Sequence, residues 1–196
     1  MRGLYALKPW YSRRLDAFVR GAVRRDLSPD LFTLVGVLGA CAAAVVVAYA
    51  WWPLVILFLA VRLAGANLDG AVARARGVSR PWGFVLNEIG DRVSDVVVMG
   101  GLAVLAWRTD GIDTALVVAI ATVAATLPTF ASLAAAGAGA TRRNGGPLGK
   151  TERCLLVIIA SIVPAWTVWI AWIIVAGSVL TTITRLVSTH RELSAP

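Results

Sequence analysis

Residues 54–74 read LVILFLAVRLAGANLDGAVAR, an apolar run that becomes polar in its second half. A helix that crosses a bilayer needs roughly 20 residues, which is the length of this run. Similar runs recur along the 196 residues, 58% of which are hydrophobic, and the mean hydropathy is +0.76. A soluble domain of this size is nearer half apolar and carries far more charge. The sequence therefore predicts an all-α, polytopic membrane protein.

Six spanning helices are predicted, preceded by one helix in the membrane interface. Residues 8–25 place apolar side chains among arginines at roughly helical spacing, which is typical of an interfacial amphipathic helix. These side chains are Trp10, Leu15, Phe18 and Val19. Ser28 and Pro29 suit the N-cap and the first position of the next helix. The predicted spans cover residues 31–52, 54–74, 82–107 and 114–136, and the two parts into which Pro164 divides 151–187.

The basic residues, which give a net charge of +8, lie in groups between the apolar runs. This alternation follows the positive-inside rule and predicts that both termini and the basic loops are cytoplasmic. We expect contact with anionic membrane lipids and no binding of nucleic acid. With no short cleavable signal at the start, the chain is expected to be an integral protein of a bacterial cytoplasmic membrane. Its predicted parts are an interfacial segment (1–30), a membrane domain (31–190) and a tail (191–196).

Acidic residues gather at the inner ends of the second and third predicted spans. Asp69 ends one span, and Glu88, Asp91 and Asp95 lie in the next at i, i+3 and i+7. An Asp at mid-bilayer costs roughly 2.5–3.5 kcal/mol on insertion scales, so such a cluster indicates function. Asn87 adds a second stripe with Asp91 and Asp95. Several oxygen atoms should therefore converge on one face.

Oxygen ligands of this kind suit Mg²⁺, Mn²⁺ or Ca²⁺. Arg74 and Arg92 are additional positive charges, and Gly70 and Gly83 permit close backbone approach. The sequence thus predicts a receptor for a metal-bound diphosphate. The two cysteines, Cys41 and Cys154, have no spacing partners, and the single histidine lies in the tail, so zinc or histidine-based chemistry is not expected.

The spacing of these residues resembles a known signature. Asp69-Gly70-x-x-Ala73-Arg74, eight residues, and Gly83-x-x-x-Asn87-x-x-x-Asp91 are similar to the pattern of the CDP-alcohol phosphotransferase family, which is D-x-x-D-G-x-x-A-R, eight residues, G-x-x-x-D-x-x-x-D. Residues 27–33 (LSPDLFT), residues 149–153 (GKTER) and the pair formed by Thr181 and Arg185 also look like family features. The resemblance covers nearly the whole chain.

The resemblance implies a transferase that moves a phosphatidyl or related group from a CDP-linked donor to an alcohol acceptor and releases CMP. It implies Mg²⁺ or Mn²⁺ as cofactor, Asp91 as general base and, by analogy, a homodimer. Two of the four signature carboxylates are replaced, by Ala66 and Asn87. The implied metal ligands are Asp69, Asn87 and Asp91, with Asn67, Glu88 and Asp95 as neighbours that can fill the gaps. The implied CDP-binding residues are Asp69, Gly70, Ala73, Arg74 and Gly83.

Structural roles compete with these assignments. Asp95 is equally well explained by a salt bridge to Arg92 or Arg62, and Glu88 by a solvated position near a helix start. The basic residues of the loop before and at the start of the fifth span are either topology determinants or ligands of an acceptor phosphate or anionic headgroup. They are Arg142, Arg143, Lys150 and Arg153.

Three functions are compatible with the sequence. The leading hypothesis is a CDP-alcohol phosphotransferase of phospholipid synthesis that uses a donor such as CDP-diacylglycerol. The second is a family-fold protein that binds lipid or CDP-nucleotide without turnover, because Ala66 and Asn87 leave the signature incomplete. A small ion transporter is the third, and it is disfavoured because carriers usually place such charges near the midplane.

Overall fold

The computed structural model describes the backbone of residues 8–194 and the side chains from residue 15 onward, and over this range it consists of helices without strands. The side chain of Trp10, assigned to the interfacial face, lies outside the described residues. The helices are α1 (Lys8–Arg24), α2 (Pro29–Ala48), α3 (Trp52–Ala75), α4 (Pro81–Asp110), α5 (Ile112–Gly137) and α6 (Lys150–Ile162), then a 3-10 turn (Pro164–Trp166) and α7 (Thr167–Leu193).

Local sequence signals set most helix boundaries. Ser28 caps α2 by accepting a hydrogen bond from the Asp30 backbone N–H, and Pro29 occupies the first turn, as predicted. Proline also begins α4 and the turn before α7. The predicted end of the first span at residue 52 is wrong by four residues. Here Ala50 adopts a left-handed conformation (φ 54°) that stops α2 at Ala48.

Close backbone contact joins α2 to its two neighbours. A Cβ on Gly65 of α3 would lie 2.6 Å from the Phe32 carbonyl oxygen in α2. A Cβ on Gly101 of α4 would lie 2.3 Å from the Ala44 carbonyl oxygen. Small residues of this kind let membrane helices pack backbone to backbone. They allow α3 and α4 each to pack closely against α2.

The outer surface is apolar, as expected of a protein surrounded by lipid. Large side chains such as Phe130, Trp169 and Val123 are about two-thirds or more exposed, while Leu59, Leu102 and Ile174 are fully buried. The N-terminal helix α1 packs against α3 and leaves Phe18 exposed. An all-α, polytopic membrane fold is therefore confirmed.

The count of six spans is not confirmed. In the described part of the chain, four helical segments are long and apolar enough to cross a bilayer: Pro29–Ala48, Trp52–Ala75, Ile112–Gly137 and Pro164–Leu193. Helix α4 has 30 residues but carries the charged cluster, and α6 has 13 residues, about 20 Å at 1.5 Å per residue. The division at residues 30 and 190 stays a prediction.

Candidate active site

The four signature positions converge on one small cleft where α2, α3 and α4 meet. Its volume is about 10 Å³, room for about one water molecule. The residues around it are Thr33, Gly36, Val37, Arg62, Ala66, Asp69, Asn87, Gly90, Asp91 and Ser94. Two signature positions therefore present carboxylates here, and the other two present a methyl group and an amide. The resemblance to the family signature grouped these four positions, and the packing of α2 against α3 and α4 brings them to one cleft.

Asp69 is held in a defined orientation at the wall of the cleft. It is buried, with one oxygen accepting a hydrogen bond from the Thr33 hydroxyl at 2.9 Å and the other from the Gly70 backbone N–H at 2.5 Å. Both contacts fix the orientation of the carboxylate, whose two oxygens act as hydrogen-bond acceptors. Thr33 belongs to α2, so it links the α2 and α3 walls of the cleft.

Asp91 faces a lysine from a distant helix. Lys150 Nζ, in the first turn of α6, lies 2.8 Å from each carboxylate oxygen of Asp91. The two side chains are 24% and 18% exposed, so solvent reaches both. The predicted general base is therefore partly accessible to solvent and is paired with a cation.

A buried ion cluster lies beside the cleft. Asp95 accepts hydrogen bonds from Arg62 and, at 2.6 Å, from Arg153, and Arg92 Nη1 lies 3.0 Å from the same carboxylate. Arg62 also donates to the Cys154 sulfur at 3.0 Å. Charges this deeply buried are costly unless paired and hydrogen-bonded. The cluster thus ties α3, α4 and α6 together.

Positive charge exceeds negative charge at this end of the bundle. The three carboxylates Asp69, Asp91 and Asp95 are accompanied by four cations. The cations are Arg62, Arg92, Lys150 and Arg153. The side-chain nitrogens Arg62 Nε and Arg92 Nε are buried without a hydrogen-bond partner. Such a surplus attracts an anionic ligand.

A larger cleft of about 600 Å³ opens beside the small one, within the size range of pockets for small molecules. Thr33, Asp69 and Asn87 line both clefts. The structure brings all five predicted CDP-binding residues to the large cleft: Asp69, Gly70, Ala73, Arg74 and Gly83. Ion pairs of Arg76 with Asp26 and of Arg80 with Asp30 lie along its border.

Three of the predicted metal ligands do not line the small cleft. Asn67 donates from its amide nitrogen to the Leu63 carbonyl at 2.6 Å, and Glu88 pairs with Arg142 at 2.5 Å. Asp95 is engaged by arginines, which favours the salt-bridge alternative. Over residues 8–194, no three Asp, Glu, His or Cys side chains form a metal-binding group. Asn67, Glu88 and Asp95 as ligands stay predictions without support from these contacts.

The remaining predicted ligands still fit a hard cation. Asp69 and Asp91 supply carboxylates, and Asn87 supplies an amide group on the same cleft. Mg²⁺ is commonly held by one or two carboxylates, with substrate phosphates and water as its other ligands. These ligands therefore fit a cation whose coordination shell is completed by a diphosphate.

The four predicted acceptor ligands form separate ion pairs. Arg142 stacks over Phe84 at 4.9 Å and pairs with Glu88, whereas Arg143 pairs with Glu192 at 2.7 Å. Lys150 and Arg153 contact Asp91 and Asp95 as described. Of the four predicted acceptor ligands, Lys150 is thus placed directly at the predicted base.

Two arginines with clear roles were not assigned to the site from sequence. Arg62 lines the small cleft, and its signal was a lone charge inside an apolar run. Arg185 donates to the carbonyls of Gly145 at 2.9 Å and Pro128 at 2.6 Å, which anchors the loop between α5 and α6 on α7. The resemblance of residues 181–185 to the family indicated this region but did not predict the role of Arg185.

Comparison with known proteins identifies a matching family and relatives of this chain. The family model of CDP-alcohol phosphatidyltransferase matches residues 26–194. The phosphatidylinositol phosphate synthase of Mycolicibacterium smegmatis is 33% identical over 180 residues, which cover 85% of this chain and 79% of that protein. The phosphatidylinositol phosphate synthase of Streptomyces avermitilis is 28% identical over 204 residues, with 94% and 81% covered.

Solved structures agree with the sequence relatives. The Mycobacterium tuberculosis phosphatidylinositol phosphate synthase with CDP-DAG bound aligns with a TM-score of 0.75 and 25% identity, over 90% of this chain and 94% of that one. The same enzyme in complex with manganese and citrate gives a TM-score of 0.75 and 25% identity, over 91% and 90%.

Proposed function

Because the chain belongs to the CDP-alcohol phosphatidyltransferase family, we propose that its donor is CDP-diacylglycerol and its acceptor a phosphorylated polyol of the inositol phosphate type. The enzyme class predicted from the signature is confirmed at the level of the family. Members transfer a phosphatidyl or related phospho-alcohol group from a CDP-linked donor to an alcohol, with release of CMP. The proposal goes further by specifying the donor lipid and a phosphate on the acceptor.

The observation that carries the acceptor assignment is the position of Lys150. Its ammonium group lies 2.8 Å from both oxygens of Asp91, the predicted base. An acceptor whose hydroxyl approaches Asp91 therefore comes within reach of a cation. Arg153 lies in the same turn of α6 as Lys150, and Arg142 pairs with Glu88, three residues before Asp91 in α4. A phosphate on the acceptor would satisfy this positive charge, whereas a neutral alcohol would not.

The large cleft is suited to the donor. Gly70 and Gly83 have no side chain beyond the backbone, so a diphosphate can approach closely, and the Arg74 guanidinium lies on the same wall. Asp69, Asn87 and Asp91 would hold the metal ion, which on binding neutralises diphosphate charge. The use of Mg²⁺ or Mn²⁺ is borne out for the family by the related enzyme that binds manganese.

Asp91 accepts the proton of the acceptor hydroxyl in the proposed reaction. The acceptor oxygen forms a bond to the phosphorus that carries diacylglycerol, and the bond from that phosphorus to the bridging oxygen breaks. CMP leaves with this oxygen. Lys150 and the surrounding arginines orient the acceptor, and burial of Asp69 keeps its carboxylate in place on the α3 wall.

The protein is an integral membrane protein, and we place the two clefts on the cytoplasmic side of a bacterial membrane. Arg74, Arg76 and Arg80 line the large cleft, and Arg142 of the basic loop 138–149 stacks over Phe84 in its wall. The positive-inside rule assigns both basic groups to the cytoplasm. A homodimer stays a prediction from family analogy.

The direct test is release of CMP from CDP-diacylglycerol by the purified protein in lipid nanodiscs with Mg²⁺. Inositol phosphate, inositol, glycerol phosphate and glycerol serve as acceptors. We expect turnover with a phosphorylated acceptor and a loss of 100-fold or more in the Asp91→Asn variant, of the order that general bases contribute. Asp113→Asn, which alters an exposed carboxylate in the first turn of α5, outside the lining of both clefts, is the matched control.

The outcomes separate the hypotheses. Turnover with neutral alcohols alone would contradict the acceptor assignment. Binding of CDP-diacylglycerol by calorimetry, without turnover for any acceptor, would favour the second function, a family member that binds its ligand without catalysis. Ala66 and Asn87 in the small cleft are the specific observation behind that second candidate.

A further inference from the structure

We propose that Lys150 is a displaceable counter-ion of Asp91, so that it competes with the divalent cation for this carboxylate. This inference rests on the proposed function, since it takes Asp69, Asn87 and Asp91 as the metal-binding residues. It assigns to Lys150 a second role, in the control of cation binding, in addition to contact with the acceptor.

The contact between Lys150 and Asp91 engages the whole carboxylate. Nζ lies 2.8 Å from Oδ1 and 2.8 Å from Oδ2, so both oxygens already accept a hydrogen bond from one ammonium group. A carboxylate has lone pairs for further ligands. A divalent cation on the same oxygens would nevertheless lie a few ångströms from the ammonium charge, and two positive charges at that distance repel strongly in a partly buried site.

Substitution at the signature positions makes this competition consequential. Ala66 and Asn87 stand where the family pattern has Asp, so the small cleft retains Asp69 and Asp91 as its carboxylates. A lysine that neutralises Asp91 therefore removes half of the negative charge available to a cation there. In a cleft with four carboxylates, the same lysine would remove a quarter.

Lys150 is also partly exposed, whereas Arg62 and Arg153 beside it are buried. Its side chain is 24% exposed and lies in the first turn of α6, so a change of rotamer needs no movement of the helix. Arg62 and Arg153 have exposures of 3% and 8% and are both bound to buried Asp95. Arg92 is also partly exposed, at 27%, but it pairs with Asp95, so displacement from Asp91 concerns the lysine.

Competition of this kind couples two binding events. An anion that draws Lys150 away from Asp91 raises the affinity of the cleft for the cation, and by linkage the cation raises the affinity for the anion. A phosphorylated acceptor is such an anion. Asp91 would then become available to the cation and the acceptor hydroxyl when the correct acceptor is present.

The test measures Mn²⁺ binding by electron paramagnetic resonance of free Mn²⁺, on the full chain without donor or acceptor. We expect Lys150→Met to bind Mn²⁺ about tenfold more tightly than wild type, within the usual range of site-to-site coupling. Lys150→Arg keeps the charge and should bind as weakly as wild type. Lys150→Gln repeats the measurement with a polar side chain in case the methionine variant folds poorly.

A double-mutant cycle distinguishes direct competition from a general field effect. If the tightening acts through Asp91, Lys150→Met should have no effect in an Asp91→Asn background. Arg142→Met removes an equal charge that pairs with Glu88, and it should change Mn²⁺ affinity much less.

Equal or weaker Mn²⁺ binding by both uncharged Lys150 variants would overturn the proposal, as would a tightening that persists in the Asp91→Asn background. No turnover enters these measurements. Failure of the acceptor assay would therefore leave them interpretable, and their failure would not affect the identity of the acceptor.

Discussion

Replacement of Asp95 by asparagine perturbs the buried ion cluster with little change of shape. The Asp95 side chain is 7% exposed and faces Arg62 and Arg153, whose side chains are 3% and 8% exposed. Asparagine keeps the volume and one acceptor oxygen but removes the negative charge. Two buried guanidinium groups then lose their balancing carboxylate. Breaking a buried ion pair by removal of one partner costs about 3–5 kcal/mol.

This cost should appear as a lower unfolding temperature. For a chain of this size, about 1 kcal/mol corresponds to about 2–4 °C, so Asp95→Asn should lower the apparent Tm by on the order of 10 °C. The assay is thermal unfolding in detergent, followed by circular dichroism at one scan rate for all variants, because heating a membrane protein is often irreversible. CMP release should fall as well, because Arg62 lines the small cleft.

Asp26→Asn is the matched control for this prediction. Asp26 also pairs with an arginine, Arg76, but its side chain is 88% exposed. Its backbone has φ 52°, a conformation that asparagine tolerates, so the change tests charge alone. Exposed pairs contribute little, and the Tm should stay within about 2 °C. Equal Tm values for Asp95→Asn, Asp26→Asn and wild type would refute the view that the buried cluster joins α3, α4 and α6.

Three further predictions concern packing and ligand contacts. Gly65→Ala places a Cβ 2.6 Å from α2 backbone atoms and should lower the Tm by several degrees. As a control, the Cβ of Gly100→Ala meets nothing within 4 Å, so this variant should have an equal or higher Tm. Similar effects of the two substitutions on the Tm would contradict the close packing of α3 on α2. Arg74→Lys should raise KM for CDP-diacylglycerol about tenfold at unchanged Tm, because lysine lacks the planar fork of arginine, and an unchanged KM would remove Arg74 from the donor site. Arg185→Met should release the loop between α5 and α6, so limited proteolysis of this loop should become faster. The KM for the acceptor should also rise more than the KM for the donor. Equal changes in both KM values would count against a role of Arg185 in holding the loop.

Sequence reasoning grouped residues that the structure places together in the large cleft, because their spacing is local. Gly70, Ala73 and Arg74 follow one another along the end of α3, and Gly83 and Asn87 lie in the first two turns of α4. Helical periodicity places each set on one face, and the signature supplies the relation between the two sets. The large cleft contains them all.

The partners of the acidic residues were harder to predict from the sequence. Lys150 is 59 residues from Asp91, and Arg153 is 58 residues from Asp95, so neither pair leaves a pattern in the chain. The sequence suggested Arg62 or Arg92 as partners of Asp95, and both are found there, but Arg153 was expected near an acceptor. The sequence predicted six spans, and this count is not confirmed, because α6 is short and α4 carries the charged cluster.

The sequence by itself determined the membrane environment, the helical class, the helix starts at proline and the family signature. Each depends on hydropathy, backbone restriction or spacing within a few turns, which are properties of neighbouring residues. The tertiary structure alone decided that Asp91 faces Lys150, that Asp95 is enclosed by arginines and that Glu88 pairs with Arg142. These pairings arise where α6 and the loop before it dock against α3 and α4, because charges buried by such docking must meet an opposite charge.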